Sequence, residues 1–323
     1  MPTIKDVARL AGVSVSTVSR VLNETGYVSA DSRQRVLKVM EELHFTPNNV
    51  ARGLVSRKTS SIGLLIPDVS NPFFSDVARG IEDAASALGL SVILCNSDWK
   101  IEREQSYIDI LKGKWVEGIV VVGARSPEQR LQSVLSDLPF VLVDQKTSQQ
   151  VNCVWIDNEK GGYIATKHLI ERGCKRLIHV RGPINSPSAT LRHQGFLRAI
   201  QEFGATGKII QGNFRFESGY RCLEQILDDG LPDGIFAGND MMALGIIQAA
   251  QTMGLKIPQD FLLIGFDDIS FSSYISPTLT TIRQPGYLMG TAGVELLHQQ
   301  IIYGQGNPQS REYQLELVVR NST

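Results

Sequence analysis

Residues 3–23 read TIKDVARLAGVSVSTVSRVLN, and their spacing decides how the chain begins. Thr3 stands three residues before Asp6, a capping box with Asp in the usual Glu position, and Ile4, Val7, Ala8 and Ala11 then recur at helical spacing. Gly12 ends that helix. Ser14 can cap a second helix at once, with Val18, Val21 and Leu22 facing inward and Val15, Ser16, Thr17, Ser19 and Arg20 largely outward. Two short helices joined by a tight turn containing Gly make a helix-turn-helix. Ser29 can cap a third helical stretch reaching Phe45, whose Val36, Leu37, Val39, Met40 and Leu43 supply the apolar face the pair needs to stay folded. The expected head is an all-α domain over residues 1–45.

In such a unit the second helix enters the DNA major groove with its N-terminal residues against base edges. Val15, Ser16 and Arg20 are therefore candidate base readers. A guanidinium matches guanine O6 and N7 bidentately, Val15 offers an apolar contact to a thymine methyl, and Ser16 and Thr17 reach bases or phosphates. Thr3, Asn23, Tyr27 and Asn48 complete the candidate contacts of the head.

The charge distribution agrees with this assignment. Formal net charge is only −1, but residues 1–60 hold nine Lys and Arg against five Asp and Glu, whereas the remainder holds 23 against 28. A basic head on an acidic body is the layout expected where only the head meets phosphate. Residues 46–60, TPNNVARGLVSRKTS, read as a linker because they are polar, contain Pro47 and lack the apolar residues for a core of their own.

From Ser61 onward the pattern changes to short apolar runs separated by amphipathic stretches: SIGLLIP, SVILCN, EGIVVVG, FVLVD, VNCVWID, RLIHVRG, GIFAGND and FLLIGFDD. Such runs indicate parallel strands buried on both faces, hence a doubly wound α/β body over residues 61–323. Roughly ten strands exceed one compact sheet, and a split near Asn158 gives two similar lobes. Open parallel sheets bind ligands at the carboxyl ends of their strands. Located there are Asn71, Phe73 and Phe74 in SNPFF, Asp144, Asn239 with Asp240, and Asp267. With Arg192, Phe214 and Gln284 they have the composition of a sugar cleft, carboxylates and amides for hydroxyls and aromatic faces for ring C–H surfaces.

Other function classes find little support. The five histidines are scattered, and no His-Glu-x-x-His, Walker loop, Gly-x-Ser-x-Gly elbow or Gly-x-Gly-x-x-Gly turn occurs, so neither an enzyme nor a cofactor site is expected. The pair Asp267 and Asp268 reads as one pocket carboxylate beside a helix-capping one rather than as a metal site, and Gly161 and Gly162 read as close-packing positions. Cys95, Cys153, Cys174 and Cys222 are far apart and are expected as reduced, mostly buried thiols. No secretory start and no 18-residue apolar run is present, so no membrane partner is expected and the cytoplasm is the expected compartment. The same features oppose a sugar-binding transport protein.

The run T-I-K-D-V-A, followed by A-G-V-S and T-V-S-R-V-L-N, resembles the opening of the LacI/GalR family of transcriptional regulators. Residues 61–323 resemble the type I periplasmic sugar-binding fold that forms the body of those proteins. The resemblance implies a homodimeric repressor on a pseudo-palindromic operator. In the family residues 46–60 become a hinge helix on DNA, which places Leu54 as a minor-groove wedge and Arg52, Arg57 and Lys58 near phosphates. The pocket pattern is most similar to ribose-responsive members. It implies that Asn71, Asp144, Arg192, Asn239, Asp267 and Gln284 hydrogen-bond the hydroxyls of a pentose while Phe73, Phe74 and Phe214 wall its ring. One position departs: Gln145 stands where the periplasmic ribose-binding protein has Arg. Purine-responsive members are the competing resemblance, through GNFRFESGYRCLEQIL at residues 212–227. A sugar would release the operator, and a purine corepressor would act with the opposite sign.

Overall fold

The structure is a computed structural model describing residues 2–23, 25–45, 59–148, 150–228, 230–304 and 306–323. Its contacts divide the chain into two compact units, Met1–Thr59 and Ser60–Thr323.

The first unit contains helices α1 (Ile4–Ala11), α2 (Val15–Asn23) and α3 (Ala30–Glu42). Its start is set locally. The Asp6 carboxylate accepts from the Thr3 amide (3.0 Å) and hydroxyl (2.7 Å), while Thr3 Oγ1 accepts from the Asp6 amide. Gly12 takes the left-handed φ of 65° that ends α1, a conformation costly to any residue with a Cβ. Ser14 Oγ accepts from the Thr17 amide at 3.1 Å, and Ser29 caps α3. Val7, Ala8, Ala11, Val18, Val21 and Val36 form the buried centre. Leu37, expected on the inward face of α3, is instead half exposed, because Val36 takes the buried position and Val39, Met40 and Leu43 pack beside it against the core. Helix α3 also stops at Glu42 rather than reaching Phe45.

The second unit holds two six-stranded sheets with helices between their strands. The first lobe contains β1 (Ser61–Ile66), α4 (Pro72–Ala87), β2 (Ser91–Asn96), α5 (Ile101–Gly113), β3 (Ile119–Val122), α6 (Glu128–Val134), β4 (Phe140–Val143) and β5 (Cys153–Ile156). The second contains α7 (Asn158–Glu171), β6 (Arg176–Arg181), α8 (Pro187–Phe203), β7 (Thr206–Gln211), α9 (Phe216–Leu227), β8 (Gly234–Ala237), α10 (Asp240–Thr252), β9 (Leu262–Asp267), a short 3-10 turn (Ser270–Ser273) and β10 (Thr280–Arg283). The chain then returns through α11 (Gly286–Tyr303) and β11 (Ser310–Tyr313) before β12 (Glu316–Val318).

Strand order is β11-β5-β4-β3-β1-β2 in the first sheet and β12-β10-β9-β8-β6-β7 in the second, so the two lobes share one order and differ in the direction of the last strand. Among the described residues every pairing is parallel except β10 with β12. The split near Asn158 is thus only the first of three crossings. α11 packs on α4 and β4 of the first lobe, and β11 extends its sheet, because each lobe needs a last helix and strand to cover an open edge. Three segments thus join the lobes. The strand centres are wholly apolar and buried in β1, β3, β4 and β8. All four cysteines are buried and unpaired. Among the described residues no helix is long and apolar enough to cross a membrane, and no cluster of metal-ligating side chains occurs.

Candidate effector cleft and DNA-reading helix

The carboxyl ends of both sheets carry one narrow cleft, about 240 Å³ counting the open solvent at its mouth, with room inside for about a single water. It is lined by Asn71, Phe73, Phe74, Trp99 and Asp144 from the first lobe and Ser188, Arg192, Phe214, Asn239 and Asp267 from the second. Eight of the nine residues expected there from the sequence therefore meet across one space. Gln284 does not line it. Its Nε2 donates to Asp267 Oδ1 at 2.6 Å, so it stands behind the carboxylate and orients it.

Arg192 is the centre of the second-lobe wall. Its Nε donates to Asn158 Oδ1 (2.8 Å), its Nη1 donates to the Gly238 carbonyl (2.7 Å) and approaches Asp267 Oδ1 (3.5 Å), and its guanidinium carbon lies 3.6 Å from the Phe266 ring centroid. Close helix packing puts it there: a Cβ on Gly162 of α7 would collide with the Arg192 carbonyl on α8, so glycine lets the two backbones touch. Gly162 is thus a packing position. Asn239 caps α10, accepting from the Met242 amide while its Nδ2 donates to the Phe214 carbonyl, both at 3.0 Å.

The first-lobe wall is aromatic. Phe73 and Phe74 meet edge-on with centroids 5.2 Å apart, Phe74 meets Trp99 at 5.8 Å, and Trp99 meets Phe214 across the cleft at 5.6 Å. Asn71 Oδ1 caps α4 by accepting from the Phe73 amide, which leaves its Nδ2 for a ligand. Asp98, Trp99, Asp144, Phe214 and Asp267 all hold positive φ, at 54°, 57°, 62°, 67° and 119°. Backbone held in these regions costs of order 1–3 kcal/mol per residue and clusters where side chains must be aimed at a ligand.

Burial governs the charges. It pushes the Asp144 carboxyl up to about 6, opposed by Arg192, and Asp267 up to about 8, opposed by Arg192 and reinforced by Asp240. Asp240 lies behind the cleft, where it accepts from Thr281 Oγ1 (2.6 Å), Ser272 Oγ (2.7 Å) and the Ile269 amide (3.0 Å); burial still lifts it to about 7. Asp268 does not cap a helix. It pairs with Arg283 at 2.6 Å and Arg320 at 2.7 Å, tying β9 to β10 and to the chain end beyond β12.

Arg215 spans the cleft mouth. This second-lobe side chain pairs with Asp68 (Nε to Oδ2, 3.3 Å) and with Asp98, both on first-lobe loops that also carry Asn71 and Trp99. Sequence reasoning did not single out Trp99, Ser188, Asn158 or Arg215. The strand-end rule that found Asn71 and Asp144 would reach Asp98 and Trp99 when applied to SVILCN, whose following NSDWK forms the turn.

In the head, Val15, Ser16, Arg20 and Tyr27 are exposed, Thr17 is half exposed and Asn23 is the last residue of α2. Thr3 is exposed at the start of α1, and the Ser16 hydroxyl lies 2.7 Å from that of Ser14. Val15, Ser16 and Arg20 thus share α2 and are all exposed. Asn48, Arg52, Leu54, Arg57 and Lys58 lie outside the described residues.

Head and cleft together define a ligand-sensing DNA-binding regulator. Residues 3–48 match the family described as "Bacterial regulatory proteins, lacI family", and residues 59–320 match "Periplasmic binding proteins and sugar binding domain of LacI family". The chain belongs to the LacI family of bacterial transcriptional repressors and is not an enzyme. It is 39% identical over 324 residues to the ribose operon repressor of Halalkalibacterium halodurans, covering all of this chain and 97% of that protein. It is also 39% identical over 331 residues to the HTH-type transcriptional repressor PurR of Yersinia enterocolitica, with the same coverage. Among solved structures, the lac repressor dimer bound to operator and an anti-inducer superposes with a TM-score of 0.89 at 28% identity, covering 99% of this chain and 98% of that one. A LacI-family regulator from Enterococcus faecalis with bound ribose superposes with a TM-score of 0.75 at 31% identity, covering 81% and 98%.

Proposed function

We propose that this protein is a homodimeric, cytoplasmic repressor that binds a pseudo-palindromic operator through Val15, Ser16, Thr17 and Arg20, and that a pentose such as ribose in the cleft controls its operator affinity. The observation that carries the effector assignment is the pairing of the buried Arg192–Asp267 unit and Asp144 with four aromatic rings in one narrow cleft. Vicinal hydroxyls both donate and accept. A cleft offering a guanidinium, two carboxyls and two amides satisfies them, while Phe73, Phe74, Trp99 and Phe214 cover the apolar ring faces. The ribose-bound relative and the ribose operon repressor support the same ligand class.

The lobes must part to admit a sugar, and the clasp of Arg215 on Asp68 and Asp98 sits where they part. An effector shifts operator occupancy only through unequal affinity for the two states. Closure around the sugar changes the relation of the lobes, and the first lobe is joined directly to residues 46–60. That segment is the proposed hinge, with Leu54 as its wedge, and sugar is the signal for release.

Anisotropy titration of a palindromic operator, with a panel of pentoses, hexoses and purines, tests this reading. A pentose is expected to weaken operator binding. Failure of every pentose, together with a purine that tightens binding, would establish the corepressor alternative favoured by the PurR relative.

A further inference from the structure

Ten buried side-chain polar atoms among the described residues lack a hydrogen-bond partner, and six of them gather in the first lobe, on Trp99, Gln105, Arg125, Ser126, Asp144 and Gln145. These residues follow β2, β3 and β4 or begin α5, so the six belong to one end of one sheet. Leaving a buried polar group unpaired costs about 1–3 kcal/mol, more for a charged one, which makes a cluster of them a request for ligand atoms.

The cluster divides by chemistry. Asp144 Oδ1 accepts and lines the cleft, which suits a hydroxyl; Gln145 Oε1 also accepts, but Gln145 does not line the cleft. Trp99 Nε1 and Arg125 Nε can only donate. Arg125 lies over the Trp99 indole, its guanidinium carbon 5.7 Å from the ring centroid, and Trp99 lines the cleft. The backbone beneath it is fixed, since Glu104 accepts from the Arg125 amide (2.9 Å) and the Ser126 amide (3.0 Å), which commits both of its carboxylate oxygens. The neighbouring carboxylate Asp98 is taken by Lys100, Arg103 and Arg215. Among the described residues Arg125 has no ion-pair partner within 4 Å, and burial depresses its pKa, against the attraction of Glu104. Gln145 brings no cation to this wall, and Arg125 supplies one from the adjacent strand end.

We propose that Arg125 and the indole N–H of Trp99 form an anion-accepting compartment beside the ring site, so that the effector is a pentose bearing a phosphate rather than the free sugar. A phosphate offers acceptors only, and a guanidinium binds it through paired N–H groups. One ligand then meets Asp144 with a hydroxyl and Trp99 and Arg125 with phosphate oxygens.

The inference rests on the pentose reading of the cleft, and calorimetric titration of the full-length protein with ribose, ribose 5-phosphate and inorganic phosphate separates the two. Ribose 5-phosphate is expected to bind about tenfold or more tighter than ribose, the scale of charge-assisted hydrogen bonds. Arg125→Met, which keeps the contact with the indole, should bring the two ligands within about threefold by weakening ribose 5-phosphate. Equal binding of both ligands by the unaltered protein overturns the compartment and leaves the pentose reading standing. So does a preference that survives in Arg125→Met, or inorganic phosphate binding as tightly as the sugar phosphate. Binding of neither sugar overturns both.

Discussion

The two lobes share one strand order but present opposite chemistry to the cleft. On the second lobe the charged and amide groups that line the cleft are engaged, Arg192 by Asn158, Gly238 and Asp267, Asn239 by Met242 and Phe214, and Asp267 by Gln284, while the unpartnered atoms of His179, Arg181, His193 and Gln284 belong to residues outside the lining. On the first lobe Trp99, Arg125, Ser126, Asp144 and Gln145 each keep an unpartnered buried atom. A shared strand order therefore does not give identical roles. A satisfied wall is a rigid anchor that binds any small polyol, and an unsatisfied wall selects, because only a ligand with matching donors and acceptors relieves it.

The most severe way to break this comparison is to remove the anchor. Arg192→Met leaves Asp144 and Asp267 buried without their cation, and should destabilise the body by about 3–5 kcal/mol and abolish sugar binding. Urea unfolding and calorimetry read both, and a loss below about 1 kcal/mol would mean that the second lobe does not depend on Arg192.

A smaller effect should distinguish the selecting wall. With Asp144 held up to about 6 in the folded protein, a hydroxyl that donates to it favours the ionised form, and binding releases a proton. Effector affinity should accordingly rise between pH 5 and 7, by up to about tenfold per unit at most, then level off. Stability follows the opposite sign. A carboxyl whose folded pKa exceeds its unfolded value contributes fully below that unfolded value, near 4, and the contribution is lost as pH rises through about 6. Asp144→Asn should flatten the affinity profile; an unchanged slope would assign the proton elsewhere.

The smallest effect concerns what joins the lobes. Arg215 is partly exposed, so its pairs with Asp68 and Asp98 are screened, and Arg215→Ala should raise the effector off-rate by only about fivefold. Stopped-flow dissociation should also lose part of its salt dependence. An off-rate and salt slope identical to those of the unaltered protein would show that closure is held by Trp99 and Phe214 alone.

Much of this architecture was legible in the chain, and the omissions have physical causes. All eight apolar runs are strands, β1 to β6, β8 and β9; most are covered on both faces and so apolar throughout, whereas β2 is an edge strand that stayed legible through its unbroken run Val92, Ile93, Leu94 and Cys95. β7, β11 and β12 escaped because they are sheet-edge strands with exposed residues. β10 is central but begins with two buried threonines whose hydroxyls are hydrogen-bonded, so it lacks an apolar signature. Asn71, Asp144, Asn239 and Asp267 were findable because strand ends point at the cleft. Arg125 and Arg215 were not, because a surface arginine and a latch arginine look alike until their partners are known.

By itself the sequence determined the local devices: the capping box at Thr3, the glycine stop at Gly12, the buried runs of the sheets and the polar residues at their ends. These depend on short-range backbone geometry and on burial periodicity, which neighbouring residues specify. Tertiary structure decided the three crossings that close two lobes on one cleft. It also set Gln284 behind Asp267 rather than in the pocket, and left unpartnered atoms on Trp99 and Asp144 of one wall while engaging Arg192, Asn239 and Asp267 of the other. Hydrogen-bond satisfaction is a property of atoms brought together from distant segments, and only their meeting in space could reveal it.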